Sequence, residues 1–191
     1  MNNCQNILIC GVGGQGTVLA SKLISQSALE QGQKVFSAET IGMSQRGGSV
    51  VSHVRIGKDV FSPLIPKGQA DIIIAFEAAE AVRNISYLKD NGTVIVNTKI
   101  LQPVTASLSG KIFQINEMID YLKKVTPNVI AVDTEVACKQ LGSSKVVNTL
   151  LLGAACNADF FSTEHIKTAM KKIVKSDFYD LNVKALEYKS N

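Results

Sequence analysis

The run Gly11-Val12-Gly13-Gly14-Gln15-Gly16 constrains the fold more than any other part of the sequence. It follows an unbroken apolar run, Ile7-Leu8-Ile9-Cys10, and precedes residues 17–31, where Ala20, Leu23, Ile24, Ser27 and Ala28 recur at helical spacing. A continuous apolar run suits a strand buried on both faces of a parallel sheet. A G-x-G-x-x-G turn between such a strand and a helix lets the backbone reverse tightly. It also leaves amide N–H groups at a helix N-terminus, where the dipole attracts anions. Two readings of the loop stand side by side. One is a dinucleotide site, with Glu39 as the ribose-binding carboxylate at the end of the second strand. The other is a tight turn that binds no nucleotide.

The remaining pattern alternates strands and helices. Gly32 closes the first helix, and residues 34–38 predict a second strand. Residues 39–48 predict a loop of ten residues with three glycines, long for a compact α/β unit and therefore a place to look for function. Residues 49–56 are β-branched and alternating. With residues 60–62 across a turn at Gly57-Lys58-Asp59, they predict a hairpin. Pro63 and Pro66 keep the next segment out of any central strand. Further strands are predicted at 71–76, 93–97, 111–115 and 129–132. Helices are predicted at 78–89 (stopped by Asn91-Gly92), 117–124, 134–140, 145–157, 163–175 and 179–188. Ser162 is placed to cap the helix that begins at 163. The pattern predicts one Rossmann-like, three-layer α/β domain over residues 1–191, with a mostly parallel sheet, an added β-hairpin and a helical C-terminal region. The chain has 191 residues, enough for one such domain, and its 46% hydrophobic content with no Trp specifies an aliphatic core.

The residues that could carry chemistry are few. Met43, Ser44, Gln45, Arg46, Gly47 and Gly48 combine a cation, an amide, a hydroxyl and glycines. Such a loop suits an anionic ligand, a subunit interface or plain solvation. An ordinary dinucleotide fold has no reason to place it straight after the second strand. Gly11, Glu39, Glu77, Asn97 and Asp133 fall just past predicted strand ends, the edge where open α/β sheets bind ligands. Polar residues also stand there simply because the chain leaves the core. His53 lies mid-strand, with no Cys or carboxylate at ligand spacing, and reads as structural or interfacial. His165 reads as a helix-surface residue. Ser44, Ser49 and Ser52 lack a G-x-S-x-G elbow, which argues against a hydrolase triad.

Cys4, Cys10, Cys138 and Cys156 include no CxxC. That excludes a self-contained [4Fe–4S] run or a four-thiolate zinc finger, and argues against a disulfide framework. Cys10, Cys138 and Cys156 read as small core residues. A net charge of +4 gives no basis for nucleic-acid binding. No signal peptide or membrane-spanning run is found, so the expected location is the cytoplasm.

Residues 6–16, 42–55, 62–66, 70–77 and 148–154 together resemble the gamma domain of the 2-oxoacid:ferredoxin oxidoreductases, and the resemblance extends over nearly the whole chain. Gln45-Arg46-Gly47-Gly48-Ser49-Val50-Val51-Ser52-His53, with Ser62-Pro63-Leu64-Ile65-Pro66, is similar to the indolepyruvate branch of that family. The resemblance implies a subunit, inactive alone, of a complex that oxidatively decarboxylates aryl pyruvates to aryl-acetyl-CoA and reduces ferredoxin. It implies thiamine diphosphate, Mg, [4Fe–4S] clusters and coenzyme A, used on or with a large alpha partner subunit, and no cofactor bound by this chain itself. The sequence agrees in lacking a G-D-G…N motif and a cysteine cluster. No catalytic residue and no metal ligand are then expected here. Gly11, Gly13, Gly14, Gln15 and Gly16, and the loop from Met43 to Gly48, are expected to face the partner's active site or its coenzyme A path. An exposed apolar patch, and a homodimer in isolation, fit an obligate partner surface. The alternatives are the gamma subunit of a pyruvate, 2-oxoisovalerate or 2-oxoglutarate enzyme, or a free-standing NAD- or FAD-binding protein.

Overall fold

The computed structural model describes residues 4–41, 47–99 and 114–189. Among the described residues six strands form one sheet: β1 (Cys4–Val12), β2 (Val35–Ile41), β3 (Ser49–Gly57), β4 (Ala70–Ala75), β5 (Leu88–Asn97) and β6 (Val129–Val132). Seven α-helices accompany them among the described residues: α1 (Thr17–Glu30), α2 (Ala78–Asn84), α3 (Ile115–Val125), α4 (Thr134–Leu141), α5 (Val147–Asn157), α6 (Thr163–Ile173) and α7 (Ser176–Leu186). The strand order is β2-β3-β1-β4-β5-β6. β1, β4, β5 and β6 are mutually parallel, and β3 runs antiparallel to both of its neighbours.

Period-two alternation divides the core between the two faces of the sheet. Ile7, Ile9, Ile72, Ile74 and Ile95 pack with Leu23 of α1, Leu151 of α5 and Met170 of α6. Leu8, Cys10, Ile73, Val94 and Val96 pack on the other face with Ala81 of α2 and Leu122 of α3. Burying each of the Ile, Leu, Val and Met side chains among these contributes roughly 1.5–3 kcal/mol, and no Trp is needed to fill the space.

Several local expectations are corrected. The antiparallel hairpin is β2–β3, because β3 uses both of its edges, one for β2 and one for β1. Residues 60–62 therefore have no free edge of β3 to pair with. They are held by side chains instead: the Arg55 guanidinium donates to the carbonyls of Ser62 (3.0 Å) and Leu64 (3.3 Å). β2 also runs on to Ile41, so Glu39 sits inside the strand opposite Ser52. β1 likewise runs on to Val12, which places Gly11 inside that strand.

The predicted helix over 78–89 ends at Asn84, and Leu88 already pairs with Ala70. Asn91 has φ +58° within an irregular stretch of β5, so Asn91-Gly92 marks a bulge rather than a helix stop. The strand expected over 111–115 lies mostly outside the described residues, and Ile115 itself opens α3. Ser162 occupies the cap position of α6 but makes no side-chain cap bond; its carbonyl accepts from Ile166 N at 3.1 Å.

His53 is structural. It is buried, its Nδ1 accepts from Ile65 N at 3.2 Å, and its ring meets Tyr87 edge-on at 5.6 Å. Burial pushes its pKa below the ordinary value. The unfolded chain then binds the proton more readily than the folded one, so stability falls as pH drops below about 6.5. We expect Tm to decline between pH 7 and pH 5, above the range where carboxylates titrate. His53→Gln should flatten that decline, and His165→Gln, on the surface of α6, should leave it unchanged. Thermal melts across this window check it. Among the described residues, no helix is long and apolar enough to cross a membrane.

Candidate functional site

The glycine loop joins β1 to α1 at the C-terminal edge of the parallel strands. Each glycine answers a different demand. At Gly11 the demand is space: a Cβ would lie 2.7 Å from Gln15 Oε1, 2.8 Å from Phe76 Cβ and 2.9 Å from Thr17 Cγ2. At Gly14 and Gly16 it is conformation, with φ of +99° and +93°, values that L side chains strongly disfavour. Gly16 is the N-cap of α1. Gly13 serves through its amide, which donates to the Gly48 carbonyl at 2.8 Å. Gln15 turns back on its own loop: its Oε1 accepts from Val12 N at 2.7 Å, and its backbone N–H donates to Val12 O at 3.1 Å. That side-chain oxygen straps the loop.

The Gly13–Gly48 bond brings together the two segments that the sequence singles out. Gly47 is exposed, with φ +80°. Met43, Ser44, Gln45 and Arg46 lie outside the described residues. Ser49, the first residue of β3, donates from Oγ to Glu80 Oε2 of α2 at 2.6 Å.

Beside the glycine loop lies a cleft of about 420 Å³. Gly14 and Gly16 form one wall, and Asn97, Lys99, Lys145 and Asn148 contribute to the others. Two ammonium groups and the positive end of α1 border it, and among the described residues no carboxylate lines it. The buried Asn148 amide oxygen has no hydrogen-bond partner among the described residues and lies next to Gly16, whose Cβ would come within 3.4 Å of Asn148 Cβ. This chemistry favours an anion with hydrogen-bonding capacity. Sequence reading missed Lys99, Lys145 and Asn148. Lys99, close after the end of β5, carried a positional signal. Asn148 entered only as the first residue of the family-like segment 148–154, and its approach to Gly16 depends on how α5 packs.

The other expected edge residues serve the chain itself. Glu77 caps α2, accepting from Glu80 N at 3.1 Å. Asp133 caps α4, accepting from Glu135 N at 3.0 Å and Val136 N at 3.3 Å. Asn97 ties strand ends together, donating to Phe76 O at 3.1 Å and accepting from Thr134 Oγ1 at 2.8 Å. Glu39 accepts from Ser21 Oγ at 3.1 Å. With β3 inserted between β2 and β1, β2 lies two strand spacings from β1, about 10 Å. A ribose carboxylate needs its strand directly beside β1, so this arrangement departs from a dinucleotide site.

Cys4 and Cys10 lie on β1, Cys138 on α4 and Cys156 on α5. Burial, reinforced by the Glu80 and Glu77 carboxylates, raises the Cys10 thiol far above its usual range, and burial pushes Cys156 up to about 11. Metal ligation needs thiolates, and these sites hold the neutral thiol. Among the described residues, no group of three or more His, Cys, Asp and Glu could hold a metal ion.

The family model described as pyruvate ferredoxin/flavodoxin oxidoreductase matches residues 6–189. The indolepyruvate oxidoreductase subunit IorB of Archaeoglobus fulgidus is 44% identical over 185 residues, covering 95% of this chain and 92% of the relative. The subunit of the same name from Pyrococcus horikoshii is 38% identical, covering 95% and 92%. In structure, the chain is similar to the pyruvate oxidoreductase subunit PORC of Thermotoga maritima. There the TM-score is 0.70 at 21% identity, with 97% of this chain and 94% of that one covered.

Proposed function

The chain belongs to the pyruvate ferredoxin/flavodoxin oxidoreductase family, and from that premise we propose that it is the gamma-type subunit of an indolepyruvate:ferredoxin oxidoreductase. The observation that carries this reading is the 44% identity, spread over 95% of the chain, to a subunit named for indolepyruvate. The complex would oxidatively decarboxylate aryl pyruvates to aryl-acetyl-CoA, releasing CO₂ and passing the electrons to ferredoxin. Thiamine diphosphate, Mg and the [4Fe–4S] clusters are assigned to a large alpha partner. The scattered cysteines and the burial of Cys10 and Cys156 support this division of labour.

The chain's own contribution is the shape and charge of one edge. In this reading the glycine loop, the loop that ends at Gly47 and Gly48, and the cleft carrying Lys99 and Lys145 face the partner's active site or the path of coenzyme A, whose phosphates are anionic. Phe61 and Leu64, 81% and 54% exposed, offer apolar contact surface for the large subunit.

Two experiments test the reading. Co-expression with the alpha subunit should yield a stable complex on affinity purification, and recovery of this chain alone would contradict it. In that complex, Arg46→Ala should lower kcat/KM for coenzyme A about tenfold, the effect of losing one charge-assisted hydrogen bond, while this chain keeps its own melting temperature. Wild-type kinetics would remove the role given to the loop.

A further inference from the structure

We infer that Phe61 and Leu64 form a pre-shaped docking knob, and that its occupant is an apolar socket on the large subunit whose rim carries carboxylates. The inference rests on the subunit role proposed above and deepens its account of the partner. Ser62-Pro63-Leu64-Ile65-Pro66 belongs to no strand or helix, yet the segment is fixed from within. Val60 and Ile65 are buried. The Arg55 guanidinium gives its donors to neutral acceptors: the Ser62 and Leu64 carbonyls, and Asn6 Oδ1 at 2.8 Å. His53 Nδ1 takes the Ile65 N–H. Between these ties Phe61 and Leu64 stand outward, 81% and 54% exposed. An apolar side chain on a fixed loop loses little freedom on binding, so its contact converts more fully to affinity. Aromatic anchors of this kind dominate interface energies.

Charge identifies the occupant. Lys34 Nζ lies 4.4 Å from the centre of the Phe61 ring and 5.1 Å from that of Phe36. Lys34 and Lys58 also line an adjoining cleft of about 650 Å³. Among the described residues no carboxylate lines that cleft, and no ion pair involves either lysine. A socket that closes over Phe61 strips water from the Lys34 ammonium, which is costly unless an opposite charge arrives with it. The partner therefore brings carboxylates to the rim. A second copy of this chain fits less well, because a two-fold contact centred on the knob sets Lys34 against Lys34. The knob is also remote from the glycine loop. The Lys34 carbonyl accepts from Gly57 N at 2.9 Å, and Gly57 pairs with Cys4, the first residue of β1. That is the opposite edge of the sheet, so assembly and chemistry use different surfaces.

The test is a dilution series of the co-purified complex, followed by light scattering, with Phe61→Ser, Phe61→Tyr and Lys34→Glu. Phe178→Ser is the control: Phe178 is a half-exposed ring on α7 with Lys145 Nζ 5.8 Å from its centre. Phe61→Ser should raise the apparent Kd of the complex about thirtyfold, Phe61→Tyr should keep most of the affinity, and excess large subunit should recover wild-type turnover. Lys34→Glu should raise the Kd about tenfold. Added salt should weaken the wild-type complex and strengthen that of Lys34→Glu. Phe178→Ser should leave the Kd unchanged. A wild-type Kd for Phe61→Ser, an equal loss for Phe178→Ser, or a loss that excess large subunit does not recover overturns the knob. A silent Lys34→Glu overturns the acidic rim. Self-association that Phe61→Ser abolishes while the complex keeps its strength assigns the knob to a second copy and overturns the inference too. Each of these results leaves the subunit role standing; a wild-type chain that forms no complex overturns that role, and the inference with it.

Discussion

Gly153→Ala is expected to destabilise the chain by about 3 kcal/mol, the upper range for forcing an extra group into a packed interior. Gly153 lies in the middle of α5, where Ala would gain about 1 kcal/mol of helix propensity. Packing reverses the sign. A Cβ at this position would lie 2.3 Å from the Leu186 carbonyl oxygen and 3.1 Å from its carbon, at the end of α7. Both are backbone atoms and cannot rotate away. The two helices are also tied by Thr149 Oγ1 donating to Asn182 Oδ1 at 2.6 Å, so separating them would strain a buried hydrogen bond. For a chain of this size the loss should lower Tm by roughly 6–12 °C. A melt within 2 °C of wild type would mean that α5 and α7 do not approach this closely.

Gly11→Ala should cost about 2–3 kcal/mol and reduce turnover of the complex more than tenfold. The added methyl would meet Gln15 Oε1, Phe76 Cβ and Thr17 Cγ2, all closer than 3.0 Å. Gln15 can rotate away, but only by giving up its strap to Val12. Phe76 and Thr17 are buried and have no room to move. Relief therefore has to come from the loop itself, which shifts Gly13 and with it the Gly48 contact. Gly14→Ala is the control: nothing lies within 4 Å of its Cβ, so it meets only the penalty of its left-handed backbone, about 1–2 kcal/mol. Urea unfolding should rank Gly11→Ala below Gly14→Ala in stability. The reverse order would show that loop conformation, not packing at the strand end, sets the requirement for glycine.

What the sequence made legible follows from how locally each feature is determined. β1, α1, β6 and the glycine turn between β1 and α1 were readable because hydrophobic period, helix stops and positive-φ glycines are local signals. The fate of residues 49–57 was not. Alternation announces a strand but carries no information about which edges it pairs, and only the whole sheet places β3 between β2 and β1. That single insertion moves Glu39 away from β1. Asn91-Gly92 was misread for a related reason, since the same residues that end a helix also make a bulge, and Leu88 pairing with Ala70 decides between them. In the site, the loop residues could be named from composition. Their partners Glu80, Asn148 and Lys145 lie far off in the chain, and only tertiary packing brings them to the same edge.

The central claim is that this chain completes an aryl-pyruvate oxidoreductase. The most direct measurement is coenzyme A-dependent ferredoxin reduction by the chain purified in complex with its large subunit, with indolepyruvate, phenylpyruvate, pyruvate and 2-oxoglutarate compared side by side. Indolepyruvate should give the highest kcat/KM, at least about tenfold above pyruvate and 2-oxoglutarate, a margin that pocket contacts of ordinary strength can supply. Strong activity on 2-oxoglutarate alone would contradict the claim.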